Sequence, residues 1–186
     1  MSSVNRGKIT LILSCMFAGK TETLITHARR YILAKKKVVL IKYANDNRYT
    51  VEYICSHHNL NNIKATFSCK RLSDLYNSQE LRDAQVVLID EVQFFHDAPE
   101  VCDKLANEGK IIVAAGLNGN YLREEFPVIS RLIPLSEDFI SLNAICSLCG
   151  ELAHFSKRMV SGSELELIGG MESYQPRCRS CFSVNK

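Results

Sequence analysis

The chain has 186 residues, 46% of them hydrophobic, with a formal charge of +3 at pH 7 and a sequence pI near 8.4. That length suits one domain of ordinary size, or one domain with a small appendage. No apolar run is long enough to cross a bilayer, the first residues lack the hydrophobic stretch of a secretory signal, and the mild positive charge falls short of a nucleic-acid-binding signature. The expectation is a cytoplasmic protein with neither membrane nor nucleic acid as partner, and a charge compatible with an anionic small substrate.

Ile9 to Leu13 is a run of β-type residues, and Thr21 to Ala34 is helix-like, with Leu24, Ala28, Tyr31 and Ile32 on one face. Between them lies Ser14-Cys15-Met16-Phe17-Ala18-Gly19-Lys20-Thr21, whose last three residues form the tail of a phosphate-binding loop. In such a loop backbone N–H groups wrap anionic oxygens, the lysine adds charge toward the outer phosphates, and the threonine hydroxyl reaches magnesium. The following helix presents its positive end to the same anion. Ser14 stands where the pattern asks for glycine, so an ordinary strand-to-helix turn with a solvated lysine is the alternative. Lys35-Lys36-Lys37 closes the helix with charge of the right sign. Val38 to Ile41 is a continuous apolar strand, as in a parallel sheet covered on both faces, and strand, helix, strand is the unit of an α/β fold.

Tyr43 to Asn62 is polar, a long loop of the kind that often serves function; its adjacent His57 and His58 read as solvated rather than metal-binding. Ile63 to Ser68 reads as a short strand and Leu72 to Tyr76 as part of a short helix. Val86 to Ile89 is a buried strand that ends in Asp90 and Glu91, delivering two carboxylates to the sheet edge where α/β proteins bind ligands. An aspartate there serves magnesium, and Glu91 can take a proton from water or a substrate hydroxyl attacking the terminal phosphate. The competing reading is a strand ending in solvated acids. After Gln93-Phe94-Phe95, Asp97 to Glu108 predicts a helix: Asp97 caps it, Pro99 suits its first turn, Gly109 closes it, and Ala98, Val101, Cys102, Leu105 and Ala106 face the core. Ile111 to Ala115 is another buried strand. It runs into a loop at the same edge, where Tyr121 and Phe126 either line a substrate pocket or serve as packing.

From Ile140 apolar and polar residues alternate, which marks a small β-rich unit at 140–186 after an α/β unit at 1–139. Cys146-Ser-Leu-Cys149 and Cys178-Arg-Ser-Cys181 have the gap that lets each pair grip one tetrahedral zinc, and four thiolates leave no open position, so the metal is structural. The other four of the eight cysteines, Cys15, Cys55, Cys69 and Cys102, read as structural thiols. Between the pairs, Glu164-Leu-Glu-Leu-Ile-Gly-Gly170 suggests a strand whose backbone approaches a ligand closely.

These residues together resemble the type II thymidine kinases, the group of the cytosolic vertebrate enzyme and those of poxviruses. The likeness runs through Met-Phe-Ala-Gly-Lys-Thr at 16–21, Ile-Lys-Tyr-Ala-Asn-Asp-Asn-Arg-Tyr at 41–49, Asp-Glu-Val-Gln-Phe-Phe at 90–95, Leu-Asn-Gly at 117–119, Ser-Lys-Arg at 156–158, the stretch 164–170 and the cysteine pairs. The resemblance implies a RecA-like phosphate-loop sheet with a zinc-rooted lasso, and transfer of phosphate from ATP, with magnesium, to thymidine. Around the nucleotide it implies Met16, Phe17, Ala18, Gly19, Lys20 and Thr21, with Asp46, Arg48, Asp90, Gln93 and Arg158; Glu91 would deprotonate the 5′-hydroxyl. Met16, Phe94, Leu117, Tyr121 and Phe126 would form the base pocket, Leu165, Leu167 and Ile168 would offer backbone groups to thymine, and Tyr174 would close over it. A homotetramer inhibited by thymidine triphosphate is the further expectation. The chain departs from the family pattern at Ser14-Cys15, usually Gly-Pro; at Val92, usually glycine; at Asn118, usually aspartate; and at Tyr121, usually phenylalanine. Ser14 bears on loop geometry and Val92 on crowding of the turn after the base. The alternative function is a phosphate-loop ATPase with a zinc ribbon gripping nucleic acid, Glu91 then activating water.

Overall fold

The computed structural model describes residues 7–46, 53–54, 63–161 and 169–184. Strand β1 (Lys8–Ser14) leads into helix α1 (Lys20–Leu33) and strand β2 (Val38–Tyr43). A two-residue pair, β3 (Tyr53–Ile54) with β4 (Ile63–Lys64), precedes β5 (Phe67–Cys69), so the expected strand at 63–68 is two short ones separated by Ala65 and Thr66. A 3-10 turn (Leu72–Leu75) and the short helix α2 (Gln79–Asp83) lead to β6 (Val86–Ile89). Then come a 3-10 turn (Val92–Phe94), α3 (Ala98–Asn107), β7 (Ile111–Leu117) and α4 (Pro127–Leu132).

The main sheet is completed by β8 (Asp138–Ser141), in the order β5-β2-β6-β7-β1-β8, every neighbouring pair parallel. The strands read as near-continuous apolar runs because both faces are covered. On one face Ile12, Leu40, Leu88 and Val113 pack against Leu24, Ile25 and Ala28 of α1. On the other, Leu11, Ile41, Ile89 and Ala114 meet Val101 and Leu105 of α3 and Val128 and Leu132 of α4. The inward residue of α1 is Ile25 rather than the expected Ile32, which is 51% exposed. Leu24, Ile25 and Ala28 already fill the contact with the sheet, and Ile32 lies in the last turn, beyond it.

All six strands point the same way, so the ends of β1, β2, β6 and β7 share one edge, where crevices form in open α/β sheets. The last part of the chain folds beside that edge as two hairpin-like pairs, β9 (Ala144–Ile145) with β10 (Leu152–Ala153) and β11 (Phe155–Arg158) with β12 (Tyr174–Arg177), closed by the single turn of α5 (Arg179–Phe182).

Candidate active site

Between β1 and α1 the chain bends through two left-handed residues, Phe17 (φ 64) and Gly19 (φ 82). Glycine adopts this conformation without a Cβ penalty and starts the helix. For Phe17 it costs about 1–3 kcal/mol, which the surroundings must hold in place. Ser14 carries none of this strain: it ends β1 as a strand residue, so the loop's tight geometry lies at Phe17 and Gly19 and not at the position where the pattern asks for glycine. Lys20 Nζ donates to the Cys15 carbonyl at 2.7 Å, laying the ammonium back across the loop. Thr21 Oγ1 faces Asp90, 3.3 Å from Oδ2 and 3.5 Å from Oδ1. A hydroxyl after β1 and a carboxylate after β6, brought together across the end of β7, are the oxygen pair that a magnesium ion takes in phosphate-loop proteins.

Glu91 is left-handed (φ 53, ψ 44), which turns the chain sharply out of β6 into the 3-10 turn. Its carboxylate accepts a hydrogen bond from Gln93 Nε2 at 2.6 Å, and Gln93 Oε1 accepts the Leu117 N–H at 3.1 Å. Gln93 is 3% exposed, so its amide is a buried bridge from the end of β7 to the acid. Gly116 makes room for it: a Cβ there would come within 2.9 Å of both Gln93 Oε1 and Val92 Cγ1. Val92 is fully buried, its bulk received over that glycine instead of crowding the turn. Gln93 was expected at the nucleotide; its visible bonds are to Glu91 and to β7.

Beside the acids lies an aromatic group. Phe94 packs at a tilt against Tyr43 (centroids 5.2 Å apart) and meets Phe126 edge-on (6.4 Å). Tyr43, a buried core residue, was not among the residues expected beside Phe94, although an aromatic at the end of an apolar strand is the signal that would have placed it there. Asp46, buried, follows Tyr43 in a tight turn, its N–H donating to the Tyr43 carbonyl at 3.1 Å. The Arg158 guanidinium lies over the Tyr121 ring, 4.9 Å from its centroid, and Arg158 pairs across the β11–β12 hairpin with buried Tyr174. Asn120, also missed, shapes the loop that carries Tyr121: its Oδ1 accepts the N–H groups of Leu122 and Glu124, each at 2.9 Å. An asparagine in a glycine-rich turn is the sequence signal for such a bond. Arg48, Leu165, Leu167, Ile168 and the histidines at 57 and 58 lie outside the described residues.

The sulfurs of Cys146, Cys149, Cys178 and Cys181 all lie within 4.8 Å of one another, a set that could hold a metal ion. Burial opposes ionisation of Cys146, but the backbones of Cys178, Leu148 and Cys149 outweigh it and bring the thiol down to about 6. That direction favours the thiolate, the form that ligates metal. Hydrogen bonds with Cys149 and Cys178 push Cys181 up to about 12, an opposition that a cation at their centre would remove. No helix among the described residues is long and apolar enough to cross a membrane.

A parallel sheet with Gly-Lys-Thr after one strand and an Asp-Glu pair after another defines a phosphate-loop nucleotide-binding protein. The fold is similar to the flagellar accessory protein FlaH from Methanocaldococcus jannaschii, with a TM-score of 0.52 over 79% of this chain and 75% of that one, at 10% sequence identity. The family model for thymidine kinase matches residues 7–182. The thymidine kinase of Vaccinia virus (strain Ankara) is 45% identical over 96% of this chain and 98% of its own length. Those of Monkeypox virus and Variola virus are 44% and 43% identical over the same shares. The chain belongs to the thymidine kinase family.

Proposed function

We propose that the chain transfers the γ-phosphoryl group of ATP to the 5′-hydroxyl of thymidine, giving ADP and thymidine 5′-monophosphate. One observation carries this reading beyond family membership: a buried carboxylate, Glu91, fixed by Gln93 beside the Thr21–Asp90 oxygen pair. As the 5′-oxygen attacks the γ-phosphorus and the bond to the β-phosphate oxygen breaks, Glu91 takes the hydroxyl proton. Met16 to Thr21 hold the phosphates, with Lys20 leaving the Cys15 carbonyl for them, and Asp46, Arg48 and Arg158 add to the nucleotide's surroundings. Thr21 and Asp90 would hold magnesium, which offsets the charge of the β- and γ-phosphates.

Phe94, Phe126, Leu117, Tyr121 and Met16 supply the wall for the base, with Tyr174 and the backbone of Leu165, Leu167 and Ile168 closing it. The four cysteines take zinc as a structural staple of a unit spanning 140–186, beside the nucleotide-binding unit of 1–139. Cytoplasmic location, assembly as a homotetramer and inhibition by thymidine triphosphate complete the proposal. A nucleic-acid-stimulated ATPase is not favoured by membership of this family.

Purified protein given γ-labelled ATP, magnesium and thymidine should place label on the nucleoside. Glu91→Gln should lower that turnover by about 10²- to 10⁴-fold while ATP binding is kept. Unchanged turnover in Glu91→Gln, or phosphate release that ignores thymidine, would overturn the reading.

A further inference from the structure

The peptide group between Cys15 and Met16 is held at both ends. Its carbonyl accepts the Lys20 ammonium at 2.7 Å, and its N–H donates to the Ser156 hydroxyl at 3.0 Å. Ser156 sits on β11, 140 residues further along the chain, and is 4% exposed. In a loop whose N–H groups face phosphate oxygens, an N–H committed to a side-chain hydroxyl is not one of the phosphate donors. It fixes the plane of the peptide on which the lysine rests, directly before the strained Phe17.

Ser156 does not act alone. The Ser14 hydroxyl donates to the Leu142 carbonyl, the Cys15 thiol to the Ala153 carbonyl at 3.4 Å, and the Asn118 amide to the His154 carbonyl at 3.3 Å. Cys15 is fully buried in a cluster with Ala144, Cys146 and Ala153, against which Cys178 and Cys181 pack. A seam of bonds therefore fastens the phosphate loop and the end of β7 to the cysteine-stapled hairpins.

We propose that Ser156 is a positioning residue for the nucleotide: seated on the hairpins that the four cysteines staple, its hydroxyl sets the conformation of the phosphate loop, and ATP affinity depends on that seating. The proposal rests on the loop being the ATP site. A merely structural hydroxyl would affect overall stability and leave the balance between ATP affinity and turnover unchanged.

The test is the dissociation constant for ATP with magnesium, read by calorimetry, alongside the KM for each substrate. Ser156→Ala with the parent's metal content should bind ATP about three- to tenfold more weakly, the loss of one buried hydrogen bond, with a smaller change in kcat and in the KM for thymidine. Ser156→Thr, which keeps the hydroxyl, should recover most of the affinity. Asn118→Asp, at an exposed position, should weaken ATP binding in the same direction. Chelating the cysteine-bound metal should weaken ATP binding by the parent and add little in Ser156→Ala. Parental ATP affinity in a metal-replete Ser156→Ala protein would overturn the proposal. If that variant does not fold, parental affinity in Asn118→Asp overturns it instead. Should the parent bind ATP and respond in this way yet phosphorylate no thymidine, the proposed function falls and the positioning role stands.

Discussion

Glu91 holds its place through a chain of three residues, each needed by the next. Its backbone lies in a conformation that costs a non-glycine residue about 1–3 kcal/mol, Gln93 donates to its carboxylate, and Gly116 leaves the space that Gln93 and Val92 occupy. A hydrogen bond to a charged group is worth about 1.5–3 kcal/mol. Gln93→Leu should therefore lower kcat by roughly 10- to 100-fold, with the KM for ATP shifting by no more than about twofold in steady-state assays. Gly116→Ala should cost about 1–3 kcal/mol in urea unfolding through overpacking, and should reduce kcat as Gln93 is displaced. At this scale the acids and the phosphate loop were legible in the sequence, because strand, loop and helix follow one another and their spacing is itself the signal. The bridge that Gln93 makes was not legible. Its partner on β7 is 24 residues away, and no local pattern records a bond of that separation.

Helix α3 was readable from its apolar stripe, yet the residue at its N-cap does something the stripe does not disclose. Asp97 stands at the N-cap position but makes no side-chain bond to its own helix. Its carboxylate accepts the N–H groups of Leu72 (3.2 Å) and Ser73 (2.8 Å), capping the 3-10 turn instead. A sequence offers Asp97 the helix that follows it; packing offers the free donors of an earlier turn, and the bonds go there. Burial opposes the charge on Asp97, but Ser73 and Leu72 outweigh it and hold its pKa below the usual carboxylate range. The stabilisation is thus fully present above the unfolded value, about 3.9, and is lost as pH falls through the lower folded value. Asp97→Asn should cost about 1 kcal/mol at neutral pH, and that difference should shrink toward zero in urea titrations carried to pH values below the lowered folded pKa of Asp97. Helix α2 escaped sequence reading because its five residues are too few to show a period; only the Ser78 hydroxyl, accepting the Leu81 N–H at 3.3 Å, marks its start.

For the molecule as a whole, the α/β class was legible because buried parallel strands leave unbroken apolar runs, and the four-cysteine cluster because each pair carries the spacing of metal ligands. Alternation begins at Ile140, but β8 continues to Ser141 as an edge strand of the main sheet, and an edge strand alternates in the same way as a strand of a small hairpin. The two parts meet through the cysteine cluster, so removing one ligand should be felt throughout. Cys178→Ser should lose bound metal, measured by atomic absorption, and should lower the thermal midpoint.

Strand β1 is made first but lies between two that are made much later, β7 at 111–117 and β8 at 138–141. During synthesis the phosphate-binding end must wait, its apolar edges open to the wrong partners, until more than a hundred further residues have left the ribosome. Nascent chains whose exposed part ends before β7 should be cut readily by protease around β1, whereas those with β8 also outside the ribosome should resist. The order of strands thus makes the catalytic edge a late event in the life of each new molecule, and the stage at which a chaperone would be most needed.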